Sequence, residues 1–175
     1  MTRLLETQHL TVQYGGLRAN DDIDMSIDEG HVVGLIGPNG AGKTTFIDAL
    51  TGFVPASGSI VFDGNDVSNT SPHERARRGL RRTWQSLELF DDLSVRDNLR
   101  VAAHRPSVGD IVLDLLRPRR RSVQHEVDST LEAVGIAHLA DRMPREISYG
   151  QRKLVSTARA LAGDPRLICM DEPAA

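Results

Sequence analysis

Lysine is almost absent from this chain of 175 residues: Lys43 and Lys153 are the only two among 21 basic side chains. Cysteine is scarcer still. Cys169 is alone, so no internal disulfide can form, and a reducing compartment is the simplest reading. Its place inside an apolar run marks it as a buried, inert thiol rather than a nucleophile. No window approaches the roughly 18 apolar residues of a membrane span. The opening MTRLLETQHL lacks an apolar stretch followed by small residues, so no secretory signal is apparent. The net charge of −3 supplies no global attraction to nucleic acid or to anionic lipid. Aromatic residues are 4% of the chain, and none interleaves with the arginines of HERARRGLRR (Arg75, Arg77, Arg78, Arg81, Arg82). That run therefore reads as a solvated, salt-bridged helical face and not as a nucleic-acid platform. RPRRR, Arg117 to Arg121, reads as a solvated loop.

What is present suits one globular domain. The chain is long enough for a core, with 39% apolar and 26% charged residues. LLETQHLTVQY and DDIDMSIDEG alternate as strands, the second placing Ile23, Met25 and Ile27 on one face. HVVGLIG is a short, nearly continuous apolar run, as expected of a strand covered on both faces. KTTFIDALTG suits a helix stopped by Gly52. SGSIVFDGNDV reads as strand, turn at Asp63-Gly64 and short strand. SPHERARRG has a serine cap, an early proline and a closing glycine, as a helix requires. GLRRTWQ reads as a short extended piece. LSVRDNLRVAAHR, GDIVLDLLR, SVQHEVDSTLEAVGI and GQRKLVSTARALAG all show helical spacing, and DPRLICMDEP returns to a buried strand.

Lys43 gains meaning from its neighbours. Gly37-Pro38-Asn39-Gly40-Ala41-Gly42-Lys43-Thr44-Thr45 matches G-x-x-x-x-G-K-[ST], between an apolar run and a helical pattern. Glycines let the backbone curl so that several N–H groups face phosphate oxygens. The helix beginning near Gly42 adds its positive end. Lys43 contributes a point charge to the outer phosphates, and the Thr44 hydroxyl can ligate Mg²⁺. A glycine-rich turn with a chance lysine would need none of these flanks, so the stretch is read as a nucleoside triphosphate cradle. Asp171 and Glu172 end the last apolar run. Alone they could be a solvated turn; beside a phosphate cradle they read as a metal-holding acid and a water-polarising acid, which favours hydrolysis.

Further along stands Ile147-Ser148-Tyr149-Gly150-Gln151-Arg152-Lys153, leading into LVSTARALAGDPRLICMDEP. This resembles the signature motif of the ATP-binding cassette ATPases, commonly LSGGQ, and the run that follows it. Ile147 and Tyr149 depart from the common form, while Ser148 and Gly150 are retained. Tyr14 in VQYGGL matches the aromatic that stacks on adenine, and Gln85 in RRTWQSLELF matches the Q-loop glutamine. YGGLRAN, GLIGPNGAGKTTFIDALTGF and RTWQSLELFDDLSVRDNL are similar to the branched-chain amino-acid importer ATPases, a pattern that urea and short-chain amide importers share.

The resemblance implies an α/β fold: a P-loop NTPase with a RecA-like core, an N-terminal antiparallel β subdomain and an inserted helical subdomain. It implies one cassette domain over 1–175, with β subdomain and P-loop core at 1–86, helical subdomain at 87–150 and return to the core at 151–175. It implies ATP and Mg²⁺ as cofactors. Gly37 to Thr45 would hold phosphates, Thr44, Gln85 and Asp171 the metal, and Glu172 would be general base with Gln85 beside it. Ser148, Gly150 and Gln151 would close the site of a second cassette in a head-to-tail dimer, homomeric or heteromeric. Membrane permease subunits would dock after Gln85, at Leu87 to Leu93, keeping the chain at the cytoplasmic face of the plasma membrane. A substrate-binding protein would be an indirect partner, and nucleic acid none. The family continues past DEP with a D-loop and a strand ending in a switch histidine, so the chain is expected to be incomplete at its C-terminus. By itself it is expected to turn over little ATP. A non-transport cassette protein of repair or translation, and a nucleotide-binding module without turnover, are the alternatives.

Overall fold

The computed structural model describes residues 2–84, 89–103 and 120–171. They fall into two compact units, Met1–Arg82 and Thr83–Ala175.

The first unit is built on a four-stranded antiparallel sheet of order β2-β1-β3-β4, from β1 (Arg3–Tyr14), β2 (Leu17–Asp28), β3 (Ser57–Phe62) and β4 (Asn65–Asp66). β1 and β2 form a hairpin closed by Tyr14 opposite Leu17 across Gly15 and Gly16. Asp63 and Gly64 both take positive φ, 48° and 71°, giving the β3–β4 turn the twist that a two-residue hairpin needs. One face of the sheet is buried through Leu5, Leu10, Val12, Ile60 and Phe62. Helix α1 (Lys43–Thr51) contributes Phe46, Ile47 and Leu50 to the buried apolar set. Gly52 ends it in the left-handed conformation, with φ 83°. Helix α2 (Pro72–Arg77) starts at Ser71, whose hydroxyl accepts from the Glu74 N–H while the Glu74 carboxylate accepts from the Ser71 N–H. β5 (Leu80–Arg82) follows.

Two sequence expectations fail in this unit. His31 to Gly37 forms no strand: Val32 and Ile36 are almost fully exposed, and Val33 and Leu35 about half. An apolar run becomes a strand only beside a neighbour that takes its backbone hydrogen bonds and covers its faces, and no described residue pairs with this one. Nor are the arginines after Ser71 uniformly solvated. Arg75 is 3% exposed. Its guanidinium donates to the carbonyls of Ala49 (2.7 Å), Leu50 (2.8 Å), Ser68 (2.9 Å) and Thr70 (3.2 Å). It thereby supplies the C-terminal carbonyls of α1 with the donors that a helix end lacks. Arg82 pairs with Asp48 and lies over the Phe53 ring. Arg77 and Arg78 do face solvent.

The second unit is helical. Helices α3 (Val95–Ala103), α4 (Arg120–Ala133) and α5 (Tyr149–Leu161) pack through Val95, Leu99, Val127, Leu131 and Val155. Arg120 and Arg121 belong to α4, not to the expected loop, and Arg117 to Arg119 lie outside the described residues. Two short 3₁₀ turns, Ala137–Leu139 and Pro144–Glu146, carry the chain to α5. Asn98, fully buried, ties down the approach to α3. Its amide donates to the Phe90, Leu93 and Ser94 carbonyls at 3.0–3.1 Å and accepts from the Phe90 N–H at 2.9 Å. β6 (Leu167–Cys169) is shorter than the sequence suggests and only half-buried, Cys169 included. The GDIVLDLLR helix and Leu87 lie outside the described residues. Among the described residues, no helix is long and apolar enough to cross a membrane.

Candidate functional site

The phosphate cradle occupies the stretch between β2 and α1. Pro38 C=O accepts from the Ala41 N–H at 3.2 Å, closing the turn, and Gly40 and Gly42 take φ of 82° and 84°. Gly42 is the N-cap of α1 and lies against β2. A Cβ there would stand 2.3 Å from the Ala19 carbonyl oxygen and 2.8 Å from the Asn20 amide nitrogen. Glycine is therefore required twice over, by sterics and by φ. The Gly42 carbonyl accepts the first helical hydrogen bond, from Phe46 N–H at 2.8 Å. The α1 N-terminus thus starts at Lys43, and its unpaired amides open outward with the helix dipole behind them.

Lys43 does not point into solvent. Its ammonium donates to the Gly37 and Pro38 carbonyls, both at 2.8 Å. Asn39 and Thr44 are exposed, Thr44 standing at the first turn of α1. Tyr14, 49% exposed at the end of β1, leaves its ring available for stacking.

In the second unit, Ser148 caps α5. Its hydroxyl oxygen accepts from the Gln151 N–H at 3.3 Å, and the Gln151 side-chain carbonyl accepts from the Ser148 N–H at 2.8 Å. The Gln151 carbonyl oxygen is thus engaged within its own helix start. The Ser148 O–H proton is still free to donate, since a hydroxyl can accept and donate at once. Tyr149 is exposed, with the Lys153 ammonium 5.2 Å from its ring centre. A Cβ on Gly150 would meet nothing within 4 Å, so no contact inside this chain demands glycine there. Asp171 is 9% exposed, and its Oδ2 has no hydrogen-bond partner among the described residues. A buried carboxylate oxygen without a donor is costly unless a ligand completes it, and a metal ion is one such ligand. Glu172 and Gln85 lie outside the described residues.

Known proteins are similar to this chain in sequence and fold. A family model described as ABC transporter matches residues 20–175. The chain belongs to that family. It is 37% identical to the high-affinity branched-chain amino acid transport ATP-binding protein BraF of Pseudomonas aeruginosa, an alignment covering 98% of this chain and 70% of that protein. It is 40% identical to the lipopolysaccharide export system ATP-binding protein LptB of Escherichia coli K12, covering 97% of this chain and 67% of that one. An ATP-binding cassette of an ABC transporter superimposes over the whole chain with a TM-score of 0.84 at 34% identity, with 71% of that structure covered. A cassette in its ADP conformation does so at 0.81 and 32%, with 70% of it covered. The fold is that of the ABC ATPases, a P-loop NTPase with an antiparallel β subdomain and helices. Family members are ATP-hydrolysing transporter subunits, and this chain is an ATPase component of that kind.

Sequence reasoning passed over two side chains that organise their own units and misread a third, Arg75, as solvated. The two are Asn20 against Gly42 and Asn98 on the segment that follows Gln85, while Arg75 lies on the far end of α1. Only Arg75 and Asn98 left a signal, as polar residues inside otherwise helical patterns.

Proposed function

We propose that this protein binds and hydrolyses MgATP to drive a membrane transporter that imports branched-chain amino acids. The cradle geometry supports the nucleotide half of this reading. The kinship to BraF over 98% of the chain supports the cargo half. In the proposed site the amides of Gly40 to Thr45 and the Lys43 ammonium bind the phosphates, with Gly37, Pro38, Asn39 and Ala41 forming the curl, and Tyr14 stacks on the base.

Thr44 and Asp171 would hold Mg²⁺. The donor set fits: Asp171 is buried with its Oδ2 unpartnered among the described residues, and Thr44 is exposed at the first turn of α1. Mg²⁺ usually takes only one or two protein oxygens, completing its shell with water and phosphate. When bound, the ion neutralises charge on the phosphate oxygens. Glu172, one residue past Asp171 in sequence, would orient the attacking water as general base, and Gln85 would contact the metal or that water.

Ser148 and Gly150 act across a head-to-tail dimer with a second cassette, where the open space over Gly150 admits a phosphate carried by the partner. Permease subunits anchor the pair at the cytoplasmic face of the membrane, and a binding protein delivers cargo without touching this chain. Residues 1–86 serve as β subdomain and P-loop core, 87–150 as helical subdomain and 151–175 as return to the core. The test is uptake of labelled leucine by cells whose only copy carries Lys43→Ala. Uptake should vanish. Normal leucine uptake together with normal lipopolysaccharide export would remove the cradle's role, whereas normal uptake with lost export would move the cargo to that of LptB.

A further inference from the structure

Asn20 stands where no nucleotide contact is assigned. It lies on β2, 5% exposed, directly beneath the junction of cradle and helix. Its Nδ2 donates to the Gly42 carbonyl at 3.2 Å, and its Oδ1 has no partner among the described residues. The orphaned oxygen fixes the sense of the amide: turned over, it would set oxygen against the Gly42 carbonyl oxygen. The orientation is thus dictated by Gly42, at the cost of leaving a buried acceptor unpaired.

The Gly42 carbonyl and the Lys43 N–H belong to one planar trans peptide unit, and in such a unit the two groups point in opposite directions. Two donors, Phe46 N–H from the helix and Asn20 Nδ2 from the sheet, hold the carbonyl inward. The Lys43 N–H is therefore aimed outward, along the α1 axis, where a phosphate oxygen would sit. Helical geometry alone supplies one of those two holds, and that one is subject to fraying at a first turn. Asn20 supplies the other from a strand that cannot fray with the helix.

We infer that Asn20 is a positioning residue of the phosphate cradle, acting through the Gly42–Lys43 peptide to present the Lys43 amide to a nucleoside diphosphate or triphosphate. This rests on the reading of Gly37 to Thr45 as the phosphate site. The effect is expected on phosphate binding, because the group presented is the Lys43 amide at the α1 N-terminus.

The test compares ADP and adenosine binding to the full chain by calorimetry, together with the Lys43 amide resonance in ¹⁵N spectra. Asn20→Leu keeps the branching and removes the donor, and Asn20→Asp keeps the shape and replaces the donor by an acceptor. Both should weaken ADP about tenfold, the size of one charge-assisted hydrogen bond misdirected. Adenosine affinity should not change, and the Lys43 amide shift induced by ADP should shrink. Equal ADP affinity in either folded variant, or an equal loss for ADP and adenosine, would overturn the inference. So would loss of cooperative unfolding in both, since Asn20 would then serve the fold rather than the cradle. If wild type itself bound ADP no better than adenosine, and Lys43→Ala changed nothing, the phosphate-site reading would fail instead, independently of Asn20.

Discussion

Replacing Arg75 by alanine is the sharpest probe of how the first unit is held together. The guanidinium is buried and donates to four backbone carbonyls, two from the last turn of α1 and two from the segment before α2. Burial is the chief influence on it and pushes its pKa down from the ordinary arginine value, with nearby Asp66 opposing. It remains charged at any working pH. Truncation removes the charge together with its donors and leaves the Leu50, Ser68 and Thr70 carbonyls without them, while Ala49 keeps the Gly52 N–H. Unpaired buried acceptors cost about 1–3 kcal/mol each when isolated. Because they share one cavity the losses do not add fully, and about 3–5 kcal/mol is expected from the three carbonyls and the lost packing together. In a domain of this size about 1 kcal/mol moves the melting temperature by 2–4 °C, so Arg75→Ala should melt roughly 10 °C below wild type. Arg75→Lys should recover less than half, because a point charge on a flexible stem cannot span four acceptors. Arg78→Ala, on the exposed side, should stay within about 0.5 kcal/mol. Thermal melts followed by circular dichroism give the totals. Hydrogen exchange at the Gly52 and Phe53 amides, which close the α1 end on Ala49 and Asp48, locates the loss. A melting temperature for Arg75→Ala within about 2 °C of wild type would show that the carbonyls are satisfied some other way, and the cap assignment would fall.

Other outcomes are equally open to measurement. Gly42→Ala should abolish ADP binding, since its Cβ meets the Ala19 carbonyl at 2.3 Å; calorimetry showing retained affinity would contradict the packing described. Ser148→Ala removes half of a reciprocal cap and should cost about 1 kcal/mol in urea melts; no loss would mean that water replaces the cap. The Asp97 carboxyl is held below its ordinary value, first by the Ser94 hydroxyl and then by Arg100. Its contribution is present above the unfolded value near 3.8 and is lost as pH falls through the lower folded value. Asp97→Asn should flatten the acid limb of stability in that window, and an unchanged limb would refute the assignment. The hydrogen bond from His9 to Asp22 raises the imidazole pKa above 6.5. Its contribution is full below that value and is lost as pH rises through the raised one, so in proton NMR titrations Asp22→Asn should bring His9 back down.

How much of this could be read in advance depended on whether the signal was local. The helix cap at Ser71, the turn at Asp63-Gly64 and the stop at Gly52 all follow from residues a few positions apart. The Gly37 to Thr45 cradle is equally local, and its curl and helix lie where the spacing puts them. HVVGLIG was misleading because a strand is a property of a pair, and its β-branched residues lack a paired neighbour among the described residues. Asn20 escaped because of register. Leu10 faces Ile23 but Val12 faces Asn20, so β2 carries one extra residue between these pairs. That bulge turns the alternation of Ile23, Met25 and Ile27 over and moves an even-numbered polar residue to the inside. Arg75 escaped because its partners lie 25 and 26 residues away, at a helix end that composition cannot place beside it.

The lysine of the cradle has a consequence for discrimination. Its ammonium already holds two carbonyls of its own loop, so an incoming anion must exchange with them rather than fill a bare positive charge. A tethered group competes at an effective concentration of about millimolar or above. A lone phosphate or sulfate has few oxygens with which to compensate two charge-assisted bonds and its own dehydration. A polyphosphate in the proposed site would engage the α1 amides at the same time, displacing the lysine from one side while binding from the other. In the proposed site the loop carbonyls would therefore compete with small anions for the Lys43 ammonium, and a chain of phosphates would be selected over single ones.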